Sequence, residues 1–117
     1  MEYLTEIAIN LNDSIDKVLF AKEGDKNTRG LLIQLLNNNK VVDTTGMVVK
    51  LFAKNKEGQV YKVIAEKVNE KEGLYKIYYT QEMLKYPEIE CELLFKQGET
   101  VATSLPFIIK VGDSIWL

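Results

Sequence analysis

A chain of 117 residues with a formal net charge of −2 is long enough to bury one core without covalent staples, and its charges are too evenly spread to form a nucleic-acid patch or an acidic tail. Its single cysteine, Cys91, has no second thiol to pair with and the chain has no histidine, which excludes a disulfide framework, ordinary zinc sites and the Ser-His-Asp and Cys-His nucleophile pairs. No secretory leader pattern opens the sequence and no apolar run approaches the ~20 residues of a membrane-spanning helix, so a single soluble domain over residues 1–117 is expected, with no membrane and no cofactor.

Residues 3–11 alternate, with Ile7, Ile9 and Leu11 on one face against Glu6, Ala8 and Asn10, the two-residue period of a half-buried strand. Asn12-Asp13-Ser14 breaks the pattern, and residues 17–22 read as a short second strand through Val18 and Phe20, ended by Gly24-Asp25. Leu31, Ile33 and Leu35 then define the inner face of a third strand. Its other face carries Leu32, Gln34 and Leu36, more apolar surface than solvent alone favours; either a second sheet or helical turn covers it, or a partner does.

Asn37-Asn38-Asn39 supplies residues that tolerate positive φ, Val41-Val42 leads to a second turn at Asp43-Thr44-Thr45-Gly46, and Val49, Leu51 and Ala53 alternate with Lys50, Phe52 and Lys54. Asn55-Lys56-Glu57-Gly58 reverses the chain, Gly58 being suited to a left-handed position. Residues 59–68 resume as a strand of open register, Tyr61, Val63 and Ala65 competing with Val60 and Ile64 for the inside. After the turn at residues 69–73, Tyr75, Ile77 and Tyr79 alternate with Leu74, Lys76 and Tyr78. Thr80 is the expected cap of one short helical turn over residues 80–86, which Pro87 stops.

Ile89, Cys91, Leu93 and Phe95 give the cleanest alternation in the chain and make Cys91 a small core hydrophobe of low reactivity. Gln97-Gly98 reads as a tight hairpin, followed by one returning strand over residues 100–111 with Phe107, Ile109 and Val111 inward and Pro106 at an edge or bulge. Seven to nine strands with one helical turn predict an all-β protein: an antiparallel β-sandwich, immunoglobulin-like or related.

Chemistry-bearing residues do not converge in the sequence. Glu90 and Glu92 lie on an outward strand face, where solvation explains them without a glycosidase pair. Residues 10–16 place oxygen-bearing side chains at alternating positions as a calcium loop does, but Ile15 stands where such a loop turns on glycine and no bidentate glutamate follows, so a polar turn is the simpler reading. Tyr61, Tyr78 and Trp116 are conceivable carbohydrate-stacking platforms, with core or interface packing the plainer role. Trp116 belongs to an apolar end, Ser114-Ile115-Trp116-Leu117, that is either docked on the domain or meets a partner. Partner-interface candidates are therefore Leu32, Leu36, Tyr78 and Trp116, and there are no catalytic, metal or cofactor candidates.

Gly24-Asp25-Lys26-Asn27-Thr28-Arg29-Gly30-Leu31, Val42-Asp43-Thr44-Thr45-Gly46, the reversal at residues 54–58, Gly73-Leu74-Tyr75 and Phe107-Ile108-Ile109-Lys110-Val111, in that order and spacing, resemble the N-terminal domain of the phage baseplate upper protein (BppU) family of siphophages infecting Gram-positive bacteria. The resemblance covers about residues 7–111. It departs at Asn55-Lys56-Glu57-Gly58, where relatives often carry a Pro-Asp-Gly turn. It implies a non-catalytic virion structural protein: an attachment module made in the host cytoplasm and used in the tail or baseplate. Its implied partners are other phage tail or baseplate proteins, with a homo-oligomer in the assembly. Asp25, Thr28, Arg29 and Gly30 carry the motif, and a structural role suits them; for Arg29 the alternatives are an interface contact and, the favoured one, tying a turn to a neighbouring strand through a bidentate guanidinium. The rival function is a carbohydrate-binding or adhesion sandwich contacting host cell-wall glycan.

Overall fold

A computed structural model describes residues 2–10, 19–26, 28–104 and 106–113. Eleven strand segments fall in these residues: β1 (Tyr3–Asn10), β2 (Leu19–Lys22), β3 (Arg29–Asn37), β4 (Lys40–Val41), β5 (Val48–Lys54), β6 (Val60–Ile64), β7 (Glu66–Asn69), β8 (Leu74–Tyr78), β9 (Glu88–Gln97), β10 (Thr100–Thr103) and β11 (Phe107–Gly112). They build two sheets packed as a sandwich. The five-stranded sheet runs β1-β3-β8-β7 with β4 beside β3, and the six-stranded sheet runs β2-β11-β9-β5-β6 with β10 beside β9.

The all-β sandwich is the expected fold, with one correction: the sheets are mixed. β1 lies parallel to β3 and β2 parallel to β11, while the remaining pairs are antiparallel. Hairpin signals in a sequence mark antiparallel neighbours, whereas parallel neighbours are joined by long crossovers that leave no local signature. The strand count exceeds the expected range partly because two runs read as single strands are each broken. Residues 59–68 divide into β6 and β7, which belong to different sheets, with Ala65 at the crossing. This settles the open register, since Tyr61, Val63 and Ala65 pack against the core and Val60 and Ile64 face solvent.

Residues 100–111 break into β10 and β11, which both pair with β9. Thr103 is opposite Leu94 and Phe107 opposite Cys91, so β10–β11 spends one residue more than β9 there, a bulge. Buried Ser104 closes it: its amide donates to Leu93 O at 2.8 Å and its Oγ accepts from Leu93 N at 2.9 Å. Pro106, which has no amide proton to offer a ladder, stands in this interruption.

The core is formed by the inner faces of both sheets. Leu31, Ile33 and Leu35 of β3 and Val49, Leu51 and Ala53 of β5 are all buried, as their alternation predicts, with Tyr75, Ile77, Ile89, Leu93 and Phe95. In β2 the facing is the reverse of that expected. Leu19 and Ala21 are buried and Phe20 is 59% exposed, because β2 aligns Leu19 with inward Ile109 and Phe20 with outward Lys110; Leu11 and Val18 lie outside the described residues.

The helical turn is a 3-10 turn at Glu82–Leu84, shorter than expected, and its N-cap is Gln81 with no side-chain cap, so Thr80 does not cap it. Met83 and Leu84 are buried where it carries the chain from one sheet to the other. The β9–β10 hairpin turns one residue later than expected, on Gly98-Glu99, since Gln97 is already paired with Thr100. The other reversals follow their turn chemistry. Asn38 and Asn39 take φ 51 and 63. Buried Asn55 uses Oδ1 to accept from the amides of Glu57 and Gln59, at 2.9 and 3.0 Å.

Candidate functional site

The motif segment comes first, since it begins β3. Asp25 closes the turn after β2 by accepting from Lys22 N through Oδ2 at 2.9 Å. The same oxygen lies 2.9 Å from Arg29 Nε, an ion pair by proximity without an aligned hydrogen bond. The Arg29 guanidinium stands 5.6 Å from the Tyr3 ring centre, and Tyr3 N donates to Thr28 O at 2.6 Å. Asp25, Thr28 and Arg29 thus hold the β2–β3 turn against the start of β1. The guanidinium meets Asp25 through Nε, where a bidentate fork is the expectation. Gly30 has a separate reason: a Cβ there would lie 1.7 Å from the carbonyl oxygen of Ile77 on β8, so only glycine lets these strands approach.

From Gly30 onward β3 presents its second face away from the six-stranded sheet, and on that face Gln34 Nε2 donates to Glu72 O in a 3-10 turn at Glu70–Glu72. Register places its residues in rows across the five-stranded sheet. Leu32 lies between Glu6 and Lys76, Gln34 between Ala8 and Leu74, and Leu36 between Asn10 and Val41. Leu4, Leu32, Leu36 and Leu74 are half-buried by their neighbours alone, and Val41 is 57% exposed. Leu32 and Leu36 therefore face away from the six-stranded sheet, so that sheet does not cover them.

Polar groups rim this apolar band. Tyr78 Oη donates to Glu2 Oε1, and Lys76 Nζ lies 3.7 Å from both Glu2 and Glu66. The hydrogen bond from Tyr78, with Lys76 nearby, holds the Glu2 carboxyl below the ordinary carboxylate range, and the same contacts raise Lys76 and Tyr78. The charged side chains projecting here are Glu2, Glu6, Glu66 and Lys76, three carboxylates against one ammonium.

The outer face of the six-stranded sheet has the opposite balance. Outward positions hold six lysines, Lys22, Lys50, Lys54, Lys62, Lys96 and Lys110, against three glutamates, Glu88, Glu90 and Glu92. Exposed Phe20, Val60, Ile64 and Ile108 interrupt them.

Leu32, Leu36 and Tyr78 thus share one outward face; Trp116 lies outside the described residues, as does most of the loop at residues 10–16. Tyr61 is turned to the core side of β6, half-buried, and donates to Gln59 Oε1 at 3.3 Å. Sequence reasoning missed Leu4, Leu74 and Val41 as members of this face. Their strand parity was visible, but their position beside Leu32 and Leu36 depends on inter-strand register.

Elsewhere, burial pushes the Cys91 thiol up to about 12 and raises Tyr79. An apolar cavity of about 250 Å3 opens at the sandwich end between Leu35, Val42, Met47, Phe95 and Ala102. Among the described residues no three His, Cys, Asp or Glu side chains converge as a metal site, and no helix is long and apolar enough to cross a membrane.

Comparison with known proteins agrees with this architecture. The chain is similar in structure to the N-terminal domain of phage TP901-1 ORF48, with a TM-score of 0.74 at 15% identity, over 96% of this chain and 99% of that one. No curated protein matches it. Among protein families, the BppU N-terminal domain matches residues 3–116, and that match spans the motif turn, both sheets and the outward face of β3: the chain belongs to the BppU N-terminal domain family, a family of phage baseplate structural proteins.

Proposed function

We propose that residues 1–117 act as one sandwich domain, a non-catalytic attachment module of the virion tail or baseplate that works by protein–protein association in several copies. Family membership over residues 3–116 carries this reading. The apolar face around Leu32 and Leu36, only half-buried among the described residues, supplies a contact surface, because a sheet face of this kind left in water is an association hazard unless a partner covers it. Tyr78 belongs to the same contact surface, and Asp25, Thr28, Arg29 and Gly30 serve it by fixing where β3 starts.

Co-expression with candidate tail-tip proteins, followed by size-exclusion chromatography with light scattering, tests the proposal. A stable complex containing this chain is expected, with no retention on host cell-wall polysaccharide. If the chain ignores every tail protein and instead binds the polysaccharide, with binding lost in Tyr78→Ala, the domain is a glycan-binding sandwich and the attachment reading fails.

A further inference from the structure

We infer that the two outer faces of the sandwich are complementary to one another, and that the neighbour covering the Leu32–Leu36 face is the six-stranded sheet of a second copy of this chain. A net charge of −2 conceals a separation by face. Three carboxylates against one lysine make the five-stranded face acidic, and six lysines against three glutamates make the opposite face basic. Both faces expose apolar side chains between those charges, Val41 on one and Phe20, Val60, Ile64 and Ile108 on the other.

Like-with-like packing would set glutamate against glutamate, or lysine against lysine, and juxtaposed like charges oppose association. Acidic face on basic face avoids this and covers both apolar bands in one contact. Such a contact is heterologous: each copy uses one face to hold and the other to be held, so it propagates into a ring when the rotation closes and into a stack when it does not. The inference deepens the reading of the domain as a multicopy assembly part and rests on it for its setting.

Sedimentation velocity on the intact chain tests it. At about 0.01 M salt, where charges act over about 30 Å, average mass is expected to rise with concentration beyond that of a dimer. At about 1 M salt, where that reach is about 3 Å, it returns to monomer. The double variant Glu6→Lys, Glu66→Lys and the double variant Lys62→Glu, Lys110→Glu each stay monomeric, since each leaves two faces of one sign. Mixing the two restores association, because every acidic face again has a basic one to meet. Circular dichroism verifies folding; where reversal lowers Tm, Glu6→Gln, Glu66→Gln replaces the first variant in the self-association experiment alone, because it leaves the five-stranded face neutral and is expected to lower the average mass.

A wild-type chain that is monomeric throughout, a dimer that stops at two and survives both reversals, or a mixture that stays monomeric overturns the inference. Its failure and that of the attachment reading separate cleanly. A monomer that still binds a tail protein sinks only the stacking, and a self-associating chain that ignores every tail protein sinks only the attachment.

Discussion

At the scale of single residues, three positions are set by atoms that touch them. Gly30 opposes Tyr78 so closely that an added methyl would meet the Ile77 carbonyl oxygen at 1.7 Å, and the nearest atoms are all backbone of β8, which leaves nothing flexible to give way. Gly30→Ala is expected to destabilise the domain by more than the ~1 kcal/mol typical of a point mutation, read as a drop in denaturant midpoint. Cys91, packed among Ile89, Leu93 and Ala53 in the sandwich, keeps its proton because burial disfavours the thiolate, with Glu90 adding to the effect. Its thiol should therefore resist alkylation at pH 8 in the native protein and react on unfolding; rapid labelling of the folded chain would contradict the burial. Thr44 is a buried polar residue with its needs met, donating through Oγ1 to Glu70 O at 2.6 Å and lying 2.7 Å from the Tyr75 hydroxyl.

At the scale of elements, the two faces of β3 separate folding from assembly. Leu31→Ala or Leu35→Ala removes a buried side chain and should cost about 2–5 kcal/mol of stability. Leu32→Ser with Leu36→Ser acts on half-buried side chains facing outward, so the isolated domain should lose far less than that while association weakens. A large fall in Tm for this pair, equal to that of the core variants, would place the outer face under cover within the chain itself.

The loop between β4 and β5 carries a pH dependence. Asp43 accepts from Thr45 through both its amide and its hydroxyl, and Glu70 is held by Lys67 and by the amide of Gly46, which lowers both carboxyl groups. A carboxylate whose pKa is lower folded than unfolded stabilises the fold above the unfolded value, about 4, and loses that contribution as pH falls through the folded one. Acid titration should therefore show stability falling below about pH 4, with a shallower slope in Asp43→Asn, Glu70→Gln. An unchanged slope would assign the acid sensitivity to other groups.

At the scale of the whole molecule, the sandwich separates charge that the chain mixes. Lysines and glutamates alternate along the sequence without blocks, yet strand parity sends most lysines of the six-stranded sheet to one side and most carboxylates of the five-stranded sheet to the other. This is the property on which the salt and charge-reversal experiments turn. It also bears on attachment, since a tail protein docking on the five-stranded face would need basic groups around an apolar centre. A competition between such a protein and self-association would then be visible as a fall in average mass when the partner is added.

How much of this was legible beforehand follows the range of the forces involved. Two-residue alternation dictated the buried faces of β3, β5, β8 and β9, because a pleated strand sends neighbours to opposite sides whatever surrounds it. Turn chemistry dictated the reversals at Asn38-Asn39, Asn55 and Gly58 for equally local reasons, and the segment from Asp25 to Gly30, together with the other matching segments in their order and spacing, indicated the family. The parallel pairs β1–β3 and β2–β11, the inward turn of Leu19 in place of Phe20, the division of residues 59–68 between two sheets and the outward fate of Leu32 and Leu36 were decided by tertiary structure. Each depends on which distant strand lies alongside, and the hydrogen bonds and side-chain burial that select such a neighbour join residues far apart in the chain, where no local pattern records them.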